Sequence, residues 1–500
     1  MRQGAGALSF SLLALCWSGA SVAGPNCDDI KQFLQDKAVG VTCTHFDDLR
    51  TQGGVTPANN SITTFADGTP LPGVANGFLS YTPTTDRGVI SNGPAPSSNA
   101  VPGIQVTGWF ADDPTKQARF LLRFPDDWNG KLVVAGASGT RSEHNGDWAW
   151  SDYVLPRGYA YASQNKGVLN LYLPLTGAAD PLACRLNPAS TTWVHFYDND
   201  PDKPFTQWTY YMLHTASLAK KAVKAAYGQP ARRTYAVGTS NGGYQVRRAI
   251  EEGPDLFDGG VDWEGTSIHP NRANLLTELP VVLKNFPGYV ASGYNASSPE
   301  AQAILAAGYP KDIVVRNPTT NAVTDSLWSR YNTQFWEVTM CQWQKRFDPT
   351  YPTYATGLEN YDYATRKLVP GVYAELAAVQ TTGKIKKPLV TVAGTMDALL
   401  PVKNHARGYE DVVNASRKGN NDKRNAQYRL YEVQNGNHIE GYALLFPQLK
   451  LIQPHAQKAF DLMVQHVEDN APLPPSQCIP TNGSISATPS QPGHCVKLLD

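Results

Sequence analysis

Five residues, Gly238-Thr239-Ser240-Asn241-Gly242, constrain this chain more than any other stretch. The preceding Thr234-Tyr235-Ala236-Val237 is short, apolar and β-prone. After the five come Gly243 and then Tyr244 to Glu252, good helix-forming sequence closed by Gly253 and Pro254. A strand, Gly-x-Ser-x-Gly and a helix in succession impose a very sharp turn, in which a Cβ at either flanking glycine would collide with the neighbouring strand or helix. The serine is forced into a strained conformation with its Oγ raised above the sheet. The pattern therefore reads as a nucleophile on an elbow; an ordinary strand-to-helix turn is the alternative.

A serine so placed needs a base, and the base needs an orienting acid. On an α/β-hydrolase fold the chain order is Ser, then Asp or Glu, then His, with acid and base each in a turn after a strand. Asp397 meets the first condition, since Gly394-Thr395-Met396-Asp397 follows the apolar Leu389–Ala393 run. Asp262 and Glu264, after the preceding apolar run, are the reserve candidates. His438 meets the second condition at the end of Asn435-Gly436-Asn437-His438, and the interval from Asp397 accommodates one helix and one strand. Backbone N–H groups must hold the oxyanion: Asn241 supplies one, and Ala137 or Ser138, in the glycine-flanked loop after Lys131–Gly136, supplies the other. Trp148, Trp150 and Tyr244 are candidates to line a substrate pocket.

Around these motifs strands and helices alternate. Strand-like runs cover 104–110, 118–124, 131–136, 159–163, 259–263, 388–394 and 427–433, and helix-like sequence covers 28–37 and 205–227. The expected fold class is α/β, an α/β-hydrolase fold: a mostly parallel sheet with helices on both faces. We divide it into a loop-rich amino-terminal extension (24–105), two parts of the core (106–265 and 388–470) and a tail (471–500). Residues 266–387 break the alternation and are read as an inserted lid rich in Trp, Tyr and Phe. Alternatively, they are a small helical subdomain whose aromatics form its own core.

Composition narrows the chemistry. The 43 basic and 43 acidic residues of this 500-residue chain cancel, which removes any electrostatic case for nucleic acid or an anionic membrane. Only 17% of residues are charged against 10% aromatic, a profile suited to a neutral or aromatic ligand. Arg2, the apolar Ala7–Trp17 run and Ser21-Val22-Ala23 read as an export signal over 1–23. That run is too short to span a bilayer, so no membrane anchor is expected. Export leaves six cysteines, Cys27, Cys43, Cys184, Cys341, Cys478 and Cys495, an even number that implies disulfides in one of fifteen connectivities. Proximity favours Cys27–Cys43 and Cys478–Cys495, leaving Cys184–Cys341. No zinc-ligand spacing occurs, and no metal or other cofactor is expected.

Three stretches resemble a known family. They are Ser240-Asn241-Gly242-Gly243, Ala393 to Val402 around the acid, and Arg429 to His438 with the later Leu473-Pro474-Pro475-Ser476-Gln477. Together they are similar to the extracellular 3-hydroxybutyrate oligomer hydrolases, most closely in the carboxy-terminal third and hardly at all in the lid. Phe124 to Leu132 resembles the tannase and feruloyl esterase group. That group places cysteines before the nucleophile and after the histidine, where this chain has Thr239 and Ile439. Either resemblance implies Ser240, Asp397 and His438 as the triad of a secreted esterase acting on a small or oligomeric ester. A peptidase or amidase on the same fold, or a binding module that has lost catalysis, are the rival classes.

Overall fold

The computed structural model describes residues 24–55, 79–80, 99–114, 116–139, 141–172, 184, 194–197, 205–419 and 427–500. The segment read as an export signal lies outside them. Among the described residues no helix is long and apolar enough to cross a membrane.

Ten strands form the main sheet. In chain order they are β1 (Ala38–Phe46), β2 (Gly103–Phe110), β3 (Arg119–Pro125), β4 (Lys131–Gly136) and β5 (Ala160–Gln164), then β6 (Arg233–Thr239), β7 (Gly259–Trp263), β8 (Leu389–Gly394), β9 (Tyr428–Val433) and β10 (Gln477–Ile479). Their order across the sheet is β1-β2-β3-β5-β4-β6-β7-β8-β9-β10. The contacts from β1 to β5 along this order are antiparallel, and every later pair is parallel. The central parallel strands are buried on both faces, in keeping with their mainly apolar sequences. This is the α/β-hydrolase fold.

Two segments set apart in the sequence as extension and tail add strands to this sheet. Ala38–Phe46 pairs antiparallel with β2, and Gln477–Ile479 extends the parallel edge beside β9. Neither carries a long apolar run: β1 is largely exposed, and β10, though buried, is only three residues long. The disulfides are Cys27–Cys43, Cys184–Cys341 and Cys478–Cys495. The first ties the helix Cys27–Leu34 to β1, and the last ties β10 to the final turns. The helix expected over 28–37 thus ends three residues early, and Ala38 begins β1.

Residues 266–387 are mainly helical, with Leu275–Ala291 and Glu337–Phe347 the longest segments and a short hairpin between Val314–Arg316 and Val323–Ser326. Trp328, Tyr331, Trp336, Trp343 and Phe347 are buried in one cluster that continues into Tyr244, Met396 and Tyr442 of the rest of the chain. Most of these aromatics therefore act as packing, and the same cluster seats the insertion on the core.

Candidate active site

The site lies where the chain reverses its direction of growth across the sheet. β5 lies on one side of β4 and β6 on the other, and a crevice opens at such a switch point beyond the carboxyl ends of the strands. At the end of β6, Ser240 has φ 57° and ψ −120°, a sparsely populated conformation for a residue with a side chain. The turn closes tightly. A Cβ on Gly238 would lie 2.4 Å from the Gly242 carbonyl oxygen, and one on Gly242 would lie 2.4 Å from that of Gly136. The Ser240 N–H is held by the Trp263 carbonyl at 2.8 Å, so the neighbouring strand β7 fixes the elbow.

The acid and base come together through a second close approach of glycines. Gly394 and Gly436 end β8 and begin the turn after β9, and a Cβ on Gly394 would meet the Gly436 carbonyl carbon at 2.4 Å. Met396 N–H donates to the Gly436 carbonyl at 2.7 Å, binding the two turns. Asp397 Oδ1 accepts the N–H groups of Leu399 and Leu400 at 2.8 and 2.7 Å, leaving Oδ2 to face the imidazole. His438 Nδ1 lies 2.8 Å from Asp397 Oδ2, and Nε2 lies 3.1 Å from Ser240 Oγ. Asp397 is 1% exposed and Ser240 8%, so the chain of contacts is shielded yet open at its serine end.

The reserve acids take different places. Asp262 forms a buried ion pair with Arg247 at 2.6 Å and accepts the Thr391 hydroxyl and the Gly265 N–H, so it serves packing behind the elbow. Glu264 instead brings Oε2 to 3.6 Å from His438 Nδ1. Burial first, then the charges of Asp397 and Glu440, push its carboxyl well above the usual carboxylate range. Glu264, Asp397 and His438 are the only grouping among the described residues compact enough to hold a cation. Both Asp397 oxygens are already engaged in protein hydrogen bonds.

A cavity of ≈ 210 Å³ opens over Ser240 and His438. Its wall includes Gly139, Trp150, Asn241 and Trp263 from the core, Phe335, Val338 and Trp343 from the insertion, and Leu399, Ile439 and Glu440 from the acid and base turns. The volume is below the roughly 300–1,000 Å³ typical of sites for drug-sized ligands. The buried indole N–H of Trp150 has no hydrogen-bond acceptor among the described residues.

Several expected residues fall elsewhere. Trp148 is half-buried and outside the cavity wall, because residues two apart on the helical turn 147–151 cannot face the same way as Trp150. Tyr244 is also off the wall; it is fully buried and its hydroxyl donates to the Val379 carbonyl at 2.7 Å, clamping the nucleophile helix to the end of the insertion. The Ser138 N–H is already committed to Asn145 Oδ1 at 2.9 Å. Asn241 opens the helix Asn241–Glu252, so its own N–H has no intrahelical acceptor, and Ala137 is buried at the end of β4. Sequence reasoning missed Asn437 and Glu440, although both flank His438 closely in the same turn.

The fold and this geometry define an α/β-hydrolase with Ser, Asp and His in hydrogen-bond reach, in that chain order. Residues 355–492 match the family model of the 3HB-oligomer hydrolases (3HBOH). The match contains Asp397 and His438 and also the end of the insertion, where no resemblance was expected; the elbow lies outside it. A D-(-)-3-hydroxybutyrate oligomer hydrolase of Burkholderia thailandensis is 34% identical over 128 residues, 24% of this chain and 18% of that protein. One from Burkholderia cenocepacia is 33% identical over the same span. The chain thus aligns with less than a fifth of the length of these curated relatives. Among solved structures, feruloyl esterase B from Aspergillus oryzae aligns with 89% of this chain and 90% of its own at 12% identity and a TM-score of 0.47. Tannin acyl hydrolase from Aspergillus niger aligns with 89% and 87% at the same identity and TM-score.

Proposed function

We propose that the protein is an exported serine esterase that cleaves short oligoesters of 3-hydroxybutyrate or related hydroxyalkanoates. The observation that carries this reading is the His438 ring spanning Ser240 Oγ and Asp397 Oδ2 beside a small cavity. The family match over 355–492 directs the choice of substrate.

In the proposed reaction His438 Nε2 takes the hydroxyl proton as Ser240 Oγ adds to the ester carbonyl carbon. Asp397 orients the ring and stabilises the imidazolium. The N–H groups of Asn241 and Ala137 receive the oxyanion, a contribution on the order of 10²–10³ in rate for each such donor. Collapse of the intermediate expels the alcohol, which receives the proton from His438. Water then attacks the acyl-enzyme by the same steps and releases the acid.

The aromatic part of the wall, Trp150, Trp263, Phe335 and Trp343, favours a second reading, esters of phenolic acids. Hydrolysis of 3-hydroxybutyrate dimer and trimer beside methyl ferulate and methyl gallate separates the two, with Ser240→Ala as the blank. The oligomers are expected to be cleaved and the aromatic esters spared. Cleavage of the aromatic esters alone would overturn the substrate assignment, and activity persisting in Ser240→Ala would overturn the mechanism.

A further inference from the structure

Glu264 has no part in the triad, yet its backbone is fixed at the junction of the strands that carry it. It directly follows β7. The preceding carbonyl, that of Trp263, holds the Ser240 N–H at 2.8 Å, and the Glu264 N–H donates to Val392 of β8 at 2.8 Å. Its φ of 53° lies in the left-handed region, which a glutamate seldom adopts. A structure keeps such a conformation where the surroundings enforce it, and such positions cluster at functional sites.

The side chain is 1% exposed. Oε1 accepts the Gly394 N–H at 3.3 Å, and the indole N–H of the preceding Trp263 is a further donor to the carboxyl. Oε2 is the atom 3.6 Å from His438 Nδ1. This oxygen faces the nitrogen that Asp397 already holds at 2.8 Å.

We propose that Glu264 is a second positioning carboxyl of the relay, holding the His438 ring alongside Asp397 and able to take its place at Nδ1. The inference rests on the serine-esterase reading. Burial and the nearby Asp397 charge both favour the neutral form of the Glu264 carboxyl at rest. When His438 becomes imidazolium, its Nδ1–H is shared between the two carboxyls. When Asp397 is removed, Glu264 releases its proton to solvent and becomes the counter-ion.

Turnover of p-nitrophenyl butyrate by wild type, Asp397→Ala, Glu264→Gln, the double variant and Ser240→Ala tests this. Asp397→Ala is expected to lose about 10²-fold in kcat, short of the ~10⁴-fold that disabling a sole orienting acid costs. Adding Glu264→Gln should remove a further factor of about 10², while Glu264→Gln alone lowers kcat several-fold at constant KM. Equal rates for Asp397→Ala and the double variant, with Ser240→Ala inactive, overturn the role of Glu264 alone. Activity in Ser240→Ala overturns the reading beneath it as well. Should Asp397→Ala fail to fold, the downfield His438 Nδ1–H proton resonance in wild type and Glu264→Gln decides: a shifted resonance supports the contact, and an unchanged one overturns it.

Discussion

The Tyr331 hydroxyl donates a 2.8 Å hydrogen bond to Asn437 Oδ1, joining the inserted helical region to the residue before His438. The same Asn437 oxygen accepts the Ile439 N–H at 3.1 Å, and its Nδ2 donates to the Met396 carbonyl at 2.6 Å. One buried amide thus fastens the insertion, the acid turn and the base turn. Asn437→Ala breaks all three bonds in a buried setting and is expected to cost about 2–4 kcal/mol, while Tyr331→Phe, which breaks one, costs about 1–2 kcal/mol. Urea denaturation followed by fluorescence reads both. A loss under about 0.5 kcal/mol for Asn437→Ala would show that the amide does not hold the turns together.

The elbow glycines make a prediction about backbone alone. On Gly238 a Cβ meets the Gly242 carbonyl oxygen and carbon at 2.4 and 2.5 Å, main-chain atoms that cannot rotate away. Gly238→Ala is expected to destabilise by more than about 4 kcal/mol, seen as lost soluble yield or a much lower Tm. Gly408, in the helix Ala406–Gly419, has only the Lys403 carbonyl at 3.8 Å from its Cβ position. Gly408→Ala should stabilise by about 0.5–1 kcal/mol. Similar effects at the two positions would contradict this account of the turn.

The loop after β4 depends on Asn145, whose Oδ1 accepts both the Ser138 N–H and the Ser138 hydroxyl at 2.9 Å. Releasing Ser138 frees the loop that presents the Ala137 N–H. Asn145→Ala is expected to lower kcat by about 10–10², with a smaller change in KM, because the oxyanion contact strengthens in the transition state. A change confined to KM would instead place Asn145 in ground-state binding.

Glu440 links stability to pH. Its Oε1 accepts the Ile452 and Gln453 N–H groups, but burial raises its carboxyl to about 8 from an ordinary value of 4.5. Between those values the unfolded chain has released a proton that the folded protein retains, so stability falls as pH rises and is flat outside the window. Glu440→Gln lacks this titration. The stability of wild type relative to Glu440→Gln should therefore decline from about pH 4.5 to about pH 8, with a slope of up to roughly 1.4 kcal/mol per pH unit. Denaturant midpoints of the two proteins across that range give the slope. A constant difference would mean that Glu440 is ionised in the folded state throughout.

Much of this architecture follows from local sequence. β4 is an apolar run with glycine at its end and β7 a short glycine-led run that carries Asp262, and both occupy the predicted residues. Ser240, Asp397 and His438 could be named because each sits in a turn directly after such a strand, and their chain order is a property of connectivity. β1 and β10 could not be read in the same way, since edge pairing is decided by whatever strand lies alongside.

The environment of each site residue belonged to the tertiary structure. Trp148 and Trp150 are both aromatic and two residues apart, yet only the path of the 147–151 turn puts Trp150 alone on the cavity wall. Asp262 and Glu264 were equivalent reserve acids, but Arg247 draws the first into an ion pair while a left-handed backbone brings the second to His438. Local patterning thus determined the strands and the order of the reactive side chains. Which of them meet, and which are used up in packing, was decided by contacts between segments far apart in the chain, because hydrogen-bond partners and burial are properties of the folded neighbourhood.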